Sequence, residues 1–219
     1  MTIGTAGLAG LAIAGVLAVV DWFAVYRGDA RLERRAKPAV LAVLIAAVLI
    51  SDPDASLRSL LLATALAASL TGDWLLLPPV RFTLGLLAFL LAHLAFLGAF
   101  LLGPLHAELG VIGAIGSVAV LVLAGRAILA GATRAGVRRP VGGYLAAICL
   151  MAIGATASGS PAAIAGAWLF VTSDAILGWD RFVATAPRTP RTSVARRLAV
   201  MVPYHAAQLL LTAALLAAA

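Results

Sequence analysis

Charged residues are scarce in this chain. Only 11% of its 219 residues are charged, whereas 63% are hydrophobic. A soluble globular domain has about 25% charged residues and about 45–50% apolar ones, so this composition excludes that class. We therefore expect an all-α, polytopic membrane protein that forms a single transmembrane domain over residues 1–219.

Cysteine and lysine are also nearly absent. The single cysteine, Cys149, lies in an apolar stretch, where it cannot form an internal disulfide and is expected to be a small packing residue. Lys37 is the only lysine among sixteen basic residues. The chain has a net charge of +7, and its basic residues lie in short connections between apolar segments. Membrane topology therefore explains this charge better than binding to a nucleic acid.

Several sequence signatures are missing. The chain has no Gly-x-Ser-x-Gly elbow, no His-Glu-x-x-His helix and no P-loop, which argues against a serine hydrolase, a zincin and a nucleotidase. The N-terminus lacks a basic n-region and a cleavage site, so we interpret it as a retained first helix. We expect no cofactor and no metal. A zinc site stays open as an alternative, with candidate ligands His93, His205, Asp73 and Asp174.

Eight apolar segments fit the length of a membrane-spanning helix, which is about 20 residues. They are 4–26, 37–50, 57–77, 82–103, 109–130, 140–157, 161–182 and 197–218. Fifteen of the sixteen basic residues fall on one side of this arrangement, and only Arg58 falls on the other. The positive-inside rule then predicts eight transmembrane helices with both termini extracytoplasmic. The Arg-rich and Ala-rich composition is typical of a GC-rich bacterium, so we expect a multi-pass protein of the plasma membrane.

Several polar residues lie within the apolar segments, and Asp73, His93 and Asp174 stand out among them. A carboxylate at the centre of a membrane helix costs roughly 2.5–3.5 kcal/mol, so such residues are expected to face one another, water or a substrate. The predicted orientation places them between the midplane and the cytoplasmic face, which predicts a pocket open to the inner leaflet.

These polar residues belong to motifs that resemble a known family. The motifs are Gly72-Asp73-Trp74-Leu75-Leu76, Phe82 with Gly85 through His93, Gly166 through Asp174 with Arg181-Phe182, and Tyr204 with Gln208. In order and spacing they resemble the YhhN / TMEM86 family, the lysoplasmalogenases, and Lys37-Pro38 resembles the entry to that family's second helix. The resemblance implies eight helices and hydrolysis of the vinyl-ether bond of lysoplasmalogens, with release of a fatty aldehyde and a glycerophospho-alcohol.

Vinyl-ether hydrolysis needs a proton donor and an anion. The proton goes to the β-carbon of the alkene, which creates an oxocarbenium ion that water then attacks. Two carboxyl groups in different environments suit these roles. We expect Asp73 and Asp174 to be this catalytic pair, with the roles of the two undecided, and His93 to orient one of them or to shuttle protons.

The remaining candidates would hold the substrate, for which we expect a membrane lipid with one chain. These candidates are Lys37, Ser173, Arg181, Tyr204, His205 and Gln208. Arg181 lies two helical turns from Asp174 on the same face, where it could bind a lipid phosphate. Two alternatives stay open: a transporter or lipid-binding protein whose acids bind protons or cations, and a structural or lipid-sensing protein without turnover. The sequence does not indicate an oligomeric state.

Overall fold

Helices account for nearly all of the described chain. The computed structural model describes residues 3–76, 81–185 and 189–218. These residues form no strand and eight continuous helices: α1 (Thr5–Arg27), α2 (Ala30–Ser51), α3 (Leu57–Leu75), α4 (Phe82–Leu101), α5 (Ala107–Arg134), α6 (Arg138–Ala157), α7 (Pro161–Phe182) and α8 (Pro190–Ala217). One turn of π-helix, Leu121–Gly125, interrupts α5.

Six of these helices are long and apolar enough to cross a membrane. The other two are α2 and α3. The first half of α2 carries Arg34, Arg35 and Lys37, and α3 has Arg58 and Asp73 near its two ends. The chain is thus a multi-pass membrane protein built of α-helices, which confirms the predicted fold class. That all eight helices cross the membrane stays a prediction.

Two helices begin more than one turn before the start that hydropathy predicts. Helix α2, predicted over 37–50, begins at Ala30, because the Asp29 carboxylate accepts hydrogen bonds from the free backbone amides of the first turn. Helix α8, predicted over 197–218, begins at Pro190, because Thr189 and Thr192 form a capping box. Residues 190–196, predicted to belong to a loop, are therefore helical. Hydropathy marks where apolar residues begin, whereas a helix begins where its amides find acceptors.

Contacts between distant residues show which helix ends lie together. Glu33 near the start of α2 pairs with Arg197 near the start of α8. The guanidinium of Arg181 at the end of α7 lies 4.9 Å from the ring centroid of Phe82 at the start of α4. We call this end of the bundle the basic end. It is the end at which α1, α3, α5 and α7 finish and α2, α4, α6 and α8 begin.

Arg58 lies at the opposite end and has a structural role there. Its guanidinium donates hydrogen bonds to the carbonyl oxygens of Leu102, at 3.0 Å, and of Ala218. These carbonyls end α4 and α8, and they lack partners within their own helices. A cation at helix C-termini is also favoured by the helix dipole. Capping therefore explains why this one basic residue departs from the charge bias of the rest.

Helix α8 occupies a central position in the bundle. It packs against α7 and also lies against α1, α2 and α3, whereas α5 lies at the edge against α6 and α7. The pairs α1–α2 and α3–α4 pack along much of their length. This arrangement brings the inner faces of α2, α3 and α8 together, and those faces carry Lys37, Asp73 and Tyr204, which are described below.

Close packing of α1 on α2 depends on a glycine, which gives the first testable prediction. A Cβ atom at Gly10 would overlap the side chain of Ala47 and lie 3.5 Å from its Cα atom, whereas a Cβ atom at Gly15 on the same helix meets nothing within 4 Å. We expect Gly10→Ala to lower stability by about 1–3 kcal/mol through overpacking. The control Gly15→Ala should keep or raise stability, because alanine favours helix.

The measurement is thermal unfolding of both purified variants in detergent. Equal midpoints for Gly10→Ala and Gly15→Ala would contradict the close approach of α1 and α2.

Candidate active site

An ion pair joins α2 and α3 near the basic end. The Nζ atom of Lys37 lies 2.8 Å from Oδ1 of Asp73. Tyr204 of α8 donates a hydrogen bond of 2.8 Å to the other carboxylate oxygen, Oδ2. The side chains of Lys37 and Asp73 are 17% and 8% exposed, so both charges are largely desolvated. Each oxygen of the carboxylate thus has its own donor, as a buried charge requires.

A second carboxyl group lies on α7 beside a phenol and an imidazole. Tyr144 of α6 donates its hydroxyl proton to Oδ2 of Asp174. The Nε2 atom of His93 on α4 lies 3.0 Å from the Tyr144 oxygen and 3.6 Å from Oδ2 of Asp174. Because Tyr144 has one proton and gives it to Asp174, Nε2 of His93 is the donor to the phenol oxygen. The three side chains thus form a line of hydrogen bonds from α4 to α7.

Aromatic rings pack between the two carboxyl groups. The ring of Phe170 lies 4.7 Å from that of His93 and 5.4 Å from that of Tyr204, centroid to centroid. Phe89 lies edge-on to both Phe170 and Tyr204. Edge-to-face packing of this kind restrains ring orientation and contributes about 0.5–1.5 kcal/mol per pair. The rings therefore hold the Tyr204 phenol and the His93 imidazole in position.

Both carboxyl groups line one cavity, which we call the main cavity. Its volume is about 200 Å³. The polar part of its wall consists of Lys37, Asp73, Tyr144, Ser173, Asp174, Arg181 and Tyr204. The rest is apolar and comes from α4, α5, α6, α7 and α8, including Leu86, Phe89, Ile128, Val141, Leu145, Leu177 and Phe182. A cavity that is polar at one side and apolar elsewhere suits an amphipathic ligand.

Most of the predicted site residues line this cavity. Asp73, Asp174, Lys37, Tyr204 and Arg181 do so through side chains described above. A sixth, Ser173, also lines it, but its hydroxyl donates a 3.0 Å hydrogen bond to a backbone carbonyl of α8, at residue 200. That bond ties α7 to α8 and occupies the hydroxyl proton.

Three predicted residues lie behind the cavity wall. His93 is fully buried and reaches the site through the phenol of Tyr144. His205 is also fully buried, and its Nδ1 atom accepts a 3.1 Å hydrogen bond from the indole of Trp22 on α1. Gln208 is fully buried on the next turn of α8. These three side chains are not part of the cavity lining.

The predicted set lacked one residue of this site, Tyr144. It lies in an apolar helix directly after Gly142-Gly143, and it is one of only three tyrosines in the chain. A phenol within a membrane helix needs a hydrogen-bond partner, which was the available signal. The zinc alternative had four candidate ligands, but the described residues contain no group of three or more His, Cys, Asp or Glu side chains placed to hold a metal ion.

The sequence is similar to proteins of one family. The profile of the YhhN family matches residues 32–215. Lysoplasmalogenase TMEM86B of Rattus norvegicus is 36% identical over 157 residues, which cover 69% of this chain and 60% of the rat protein. Lysoplasmalogenase TMEM86B of Homo sapiens is 33% identical over 155 residues, which cover 69% of this chain and 62% of the human protein.

A bacterial protein shows a longer match. Lysoplasmalogenase of Mycobacterium tuberculosis is 33% identical over 196 residues, which cover 85% of this chain and 71% of that protein. The chain spans about 60% of the length of the mammalian relatives it matches. No solved structure matches the chain.

The ion pair between Lys37 and Asp73 gives the second testable prediction. Lys37→Met leaves the Asp73 carboxylate buried with Tyr204 as its remaining partner, and loss of one partner of a buried pair costs about 3–5 kcal/mol. We expect a stability loss near the lower end of that range. The double variant Lys37→Met/Asp73→Asn should regain part of it, because no unpaired charge remains.

The measurement is unfolding in mixed detergent micelles with increasing denaturing detergent. Arg35→Met is the matched control, because Arg35 is exposed on the same helix and its loss should change stability by less than about 0.5 kcal/mol. If Lys37→Met and Arg35→Met lose the same amount of stability, the ion pair makes no specific contribution to the stability of the fold.

Proposed function

The chain belongs to the YhhN family, and from that premise we propose that it is a membrane hydrolase for lysoplasmalogen-like lipids with a single chain. It cleaves the vinyl-ether bond and releases a fatty aldehyde and a glycerophospho-alcohol. The observation that carries this proposal is the pair of carboxyl groups, in two different environments, on the wall of one amphipathic cavity. Relatives that carry the name lysoplasmalogenase support the substrate class.

The two carboxyl groups have partners suited to opposite roles. Each carboxyl group accepts a hydrogen bond from a tyrosine, but Asp73 also contacts the Lys37 ammonium. Asp174 contacts only the neutral phenol and the imidazole among the described residues. We therefore assign Asp174 as the proton donor and Asp73 as the anion that stabilises the oxocarbenium ion. Environments that separate two carboxyl groups in this way are typical of acid–base pairs.

The reaction then balances with one water molecule. Asp174 transfers its proton to the β-carbon of the alkene, and the positive charge that forms on the ether carbon faces the Asp73 carboxylate. Water adds to that carbon and loses a proton to Asp174, which restores the acid. The hemiacetal collapses, the C–O bond to glycerol breaks, and the alcohol oxygen receives the remaining proton.

The line of Asp174, Tyr144 and His93 orients the acid. Nε2 of His93 donates to the Tyr144 oxygen, and the phenol donates to Oδ2 of Asp174. His93 and Tyr144 are thus positioning residues for Asp174.

The basic end of the bundle supports the orientation of the lipid. Arg181 lines the main cavity near that end, where its guanidinium can bind the phosphate while the chain extends along the apolar wall. We propose that this end faces the cytoplasm, that all eight helices cross the plasma membrane of a bacterium, and that both termini are extracytoplasmic. The concentration of basic residues at one end supports this topology.

The catalytic assignment gives the third testable prediction. Asp174→Asn and Asp73→Asn should each lower aldehyde release from a lysoplasmalogen by about 10²–10⁴-fold, the usual contribution of a positioned acid or base. Asp54→Asn is the control, because Asp54 is exposed at the opposite end. In D₂O the aldehyde should carry one deuterium at C2, because the proton on the β-carbon comes from exchangeable Asp174.

The assay uses purified protein in detergent, with mass spectrometry of the trapped aldehyde. Undiminished release by both variants would refute the assignment. Binding of the lipid with no aldehyde release by the unaltered chain would instead favour a lipid-binding protein without turnover.

The topology gives the fourth testable prediction. In a Cys149→Ala background, Asp54→Cys should react with a membrane-impermeant maleimide in intact cells, because it lies at the proposed outer end. Arg134→Cys, at the end of α5, should react only after the cells are disrupted. Both positions are exposed, so access to the reagent is decided by the membrane. The reverse pattern would show that the basic end faces outward.

A further inference from the structure

We propose that a small second cavity at the basic end is a water port, which supplies the Lys37–Asp73 pair with water while a lipid fills the main cavity. This inference rests on the proposed function in one respect, namely that the reaction consumes water beside Asp73. It adds a separate route for the second substrate of the hydrolysis.

The port lies between α2 and α3. Its volume is about 80 Å³, and the polar part of its wall consists of Glu33, Arg34, Lys37 and Asp73. Among the described residues, Lys37 and Asp73 are the only ones that line both cavities. The ion pair is therefore the wall between the two compartments, with one face toward the lipid and one toward the port.

The size of the port and the four charged side chains in its wall favour water as its occupant. A cavity needs about 10–15 Å³ of such space to hold one water molecule, so the port has room for more than one. Its volume is less than half that of the main cavity. Arg34 and Trp74 are exposed at its rim, so the port communicates with the surface at the basic end. Charged walls supply the two to four hydrogen bonds that a buried water needs.

The main cavity is a poor route for water during turnover. Its polar side chains surround the position of the substrate's reactive end. A bound lipid would fill this space and exclude water from the mouth. Each turnover nevertheless consumes one water molecule, so the reaction needs access from another direction.

Asp21 on α1 provides an independent sign of hydration beside the port. Its carboxyl group is fully buried, and neither oxygen has a hydrogen-bond partner among the described residues. It interacts electrostatically with Lys37, Glu33 and Asp73, so it lies near the port. Buried polar atoms without protein partners are usually satisfied by ordered water.

The same pattern continues along α8 toward Tyr204. Trp22 donates to Nδ1 of His205, so a neutral imidazole carries its proton on Nε2, which is buried without a partner among the described residues. The Gln208 amide interacts with the Tyr204 hydroxyl, and both its polar atoms lack a well-aligned partner in the described chain. Hydrogen-bond donors and acceptors of His205 and Gln208 are thus available to water molecules near the Tyr204 phenol, which donates to Asp73.

The experiment compares hydration of the two cavities by hydroxyl-radical labelling in detergent. Met201 reports on the main cavity, the conservative variant Leu70→Met places a reporter in the port wall, and Met151 in the dry core is the internal control. The probe is a lysophospholipid with a saturated ether chain, which lacks the reactive alkene. We expect it to protect Met201 at least threefold, to leave labelling at the Leu70→Met position unchanged, and to leave Met151 unlabelled throughout.

A kinetic comparison tests whether the port supplies the reaction. Leu70→Trp fills the port and should lower kcat at least tenfold with KM for the lipid unchanged, because the main cavity is untouched. Leu60→Trp on the exposed face of α3 is the matched control and should leave both parameters unchanged. Any of three results would overturn the proposal. The methionine of Leu70→Met could remain unlabelled, the lipid could protect both reporter methionines, or kcat could stay unchanged in Leu70→Trp.

These outcomes are distinct from failure of the proposed function. A chain that releases no aldehyde from any ether lysolipid would refute the hydrolase, and the supply role of the port with it. Labelling at the Leu70→Met position would in that case still mark the small cavity as hydrated.

Discussion

The ion pair between Lys37 and Asp73 is the contact on which the site depends. A carboxylate within an apolar bundle needs a partner for its charge and donors for both oxygens. Lys37 on α2 supplies the charge, and Tyr204 on α8 supplies the second donor. One side chain of α3 therefore holds three helices in register, and it does so on the wall of the main cavity.

The two carboxyl groups of the main cavity differ in the side chains beside them. Asp73 has a cation beside it, whereas Asp174 has a phenol and an imidazole. Two identical functional groups thus have different neighbours. Protonation of a carbon needs a proton donor and an anion together, so this contrast is what makes the proposed hydrolysis possible in a single cavity.

The same ion pair also separates two cavities. The larger compartment has an apolar wall that suits a lipid chain, while the smaller one has four charged side chains, Glu33, Arg34, Lys37 and Asp73, in its wall at the basic end. A hydrolase within a membrane must bring together a substrate that avoids water and the water that attacks it. Lys37 and Asp73 line both compartments, so the lipid and the attacking water can come together beside them.

The sequence by itself determined the helical class, the membrane location and the bias of charge toward one end, because hydropathy and charge are properties of local segments. It also identified Asp73, Asp174 and His93, since a polar side chain in an apolar stretch is visible without a fold. Only the tertiary structure decided the partners. Lys37 pairs with Asp73, and Tyr144 pairs with Asp174. Neither pair was predicted, because pairing across helices depends on how the helices rotate and pack. Neither hydropathy nor spacing along the chain encodes that rotation.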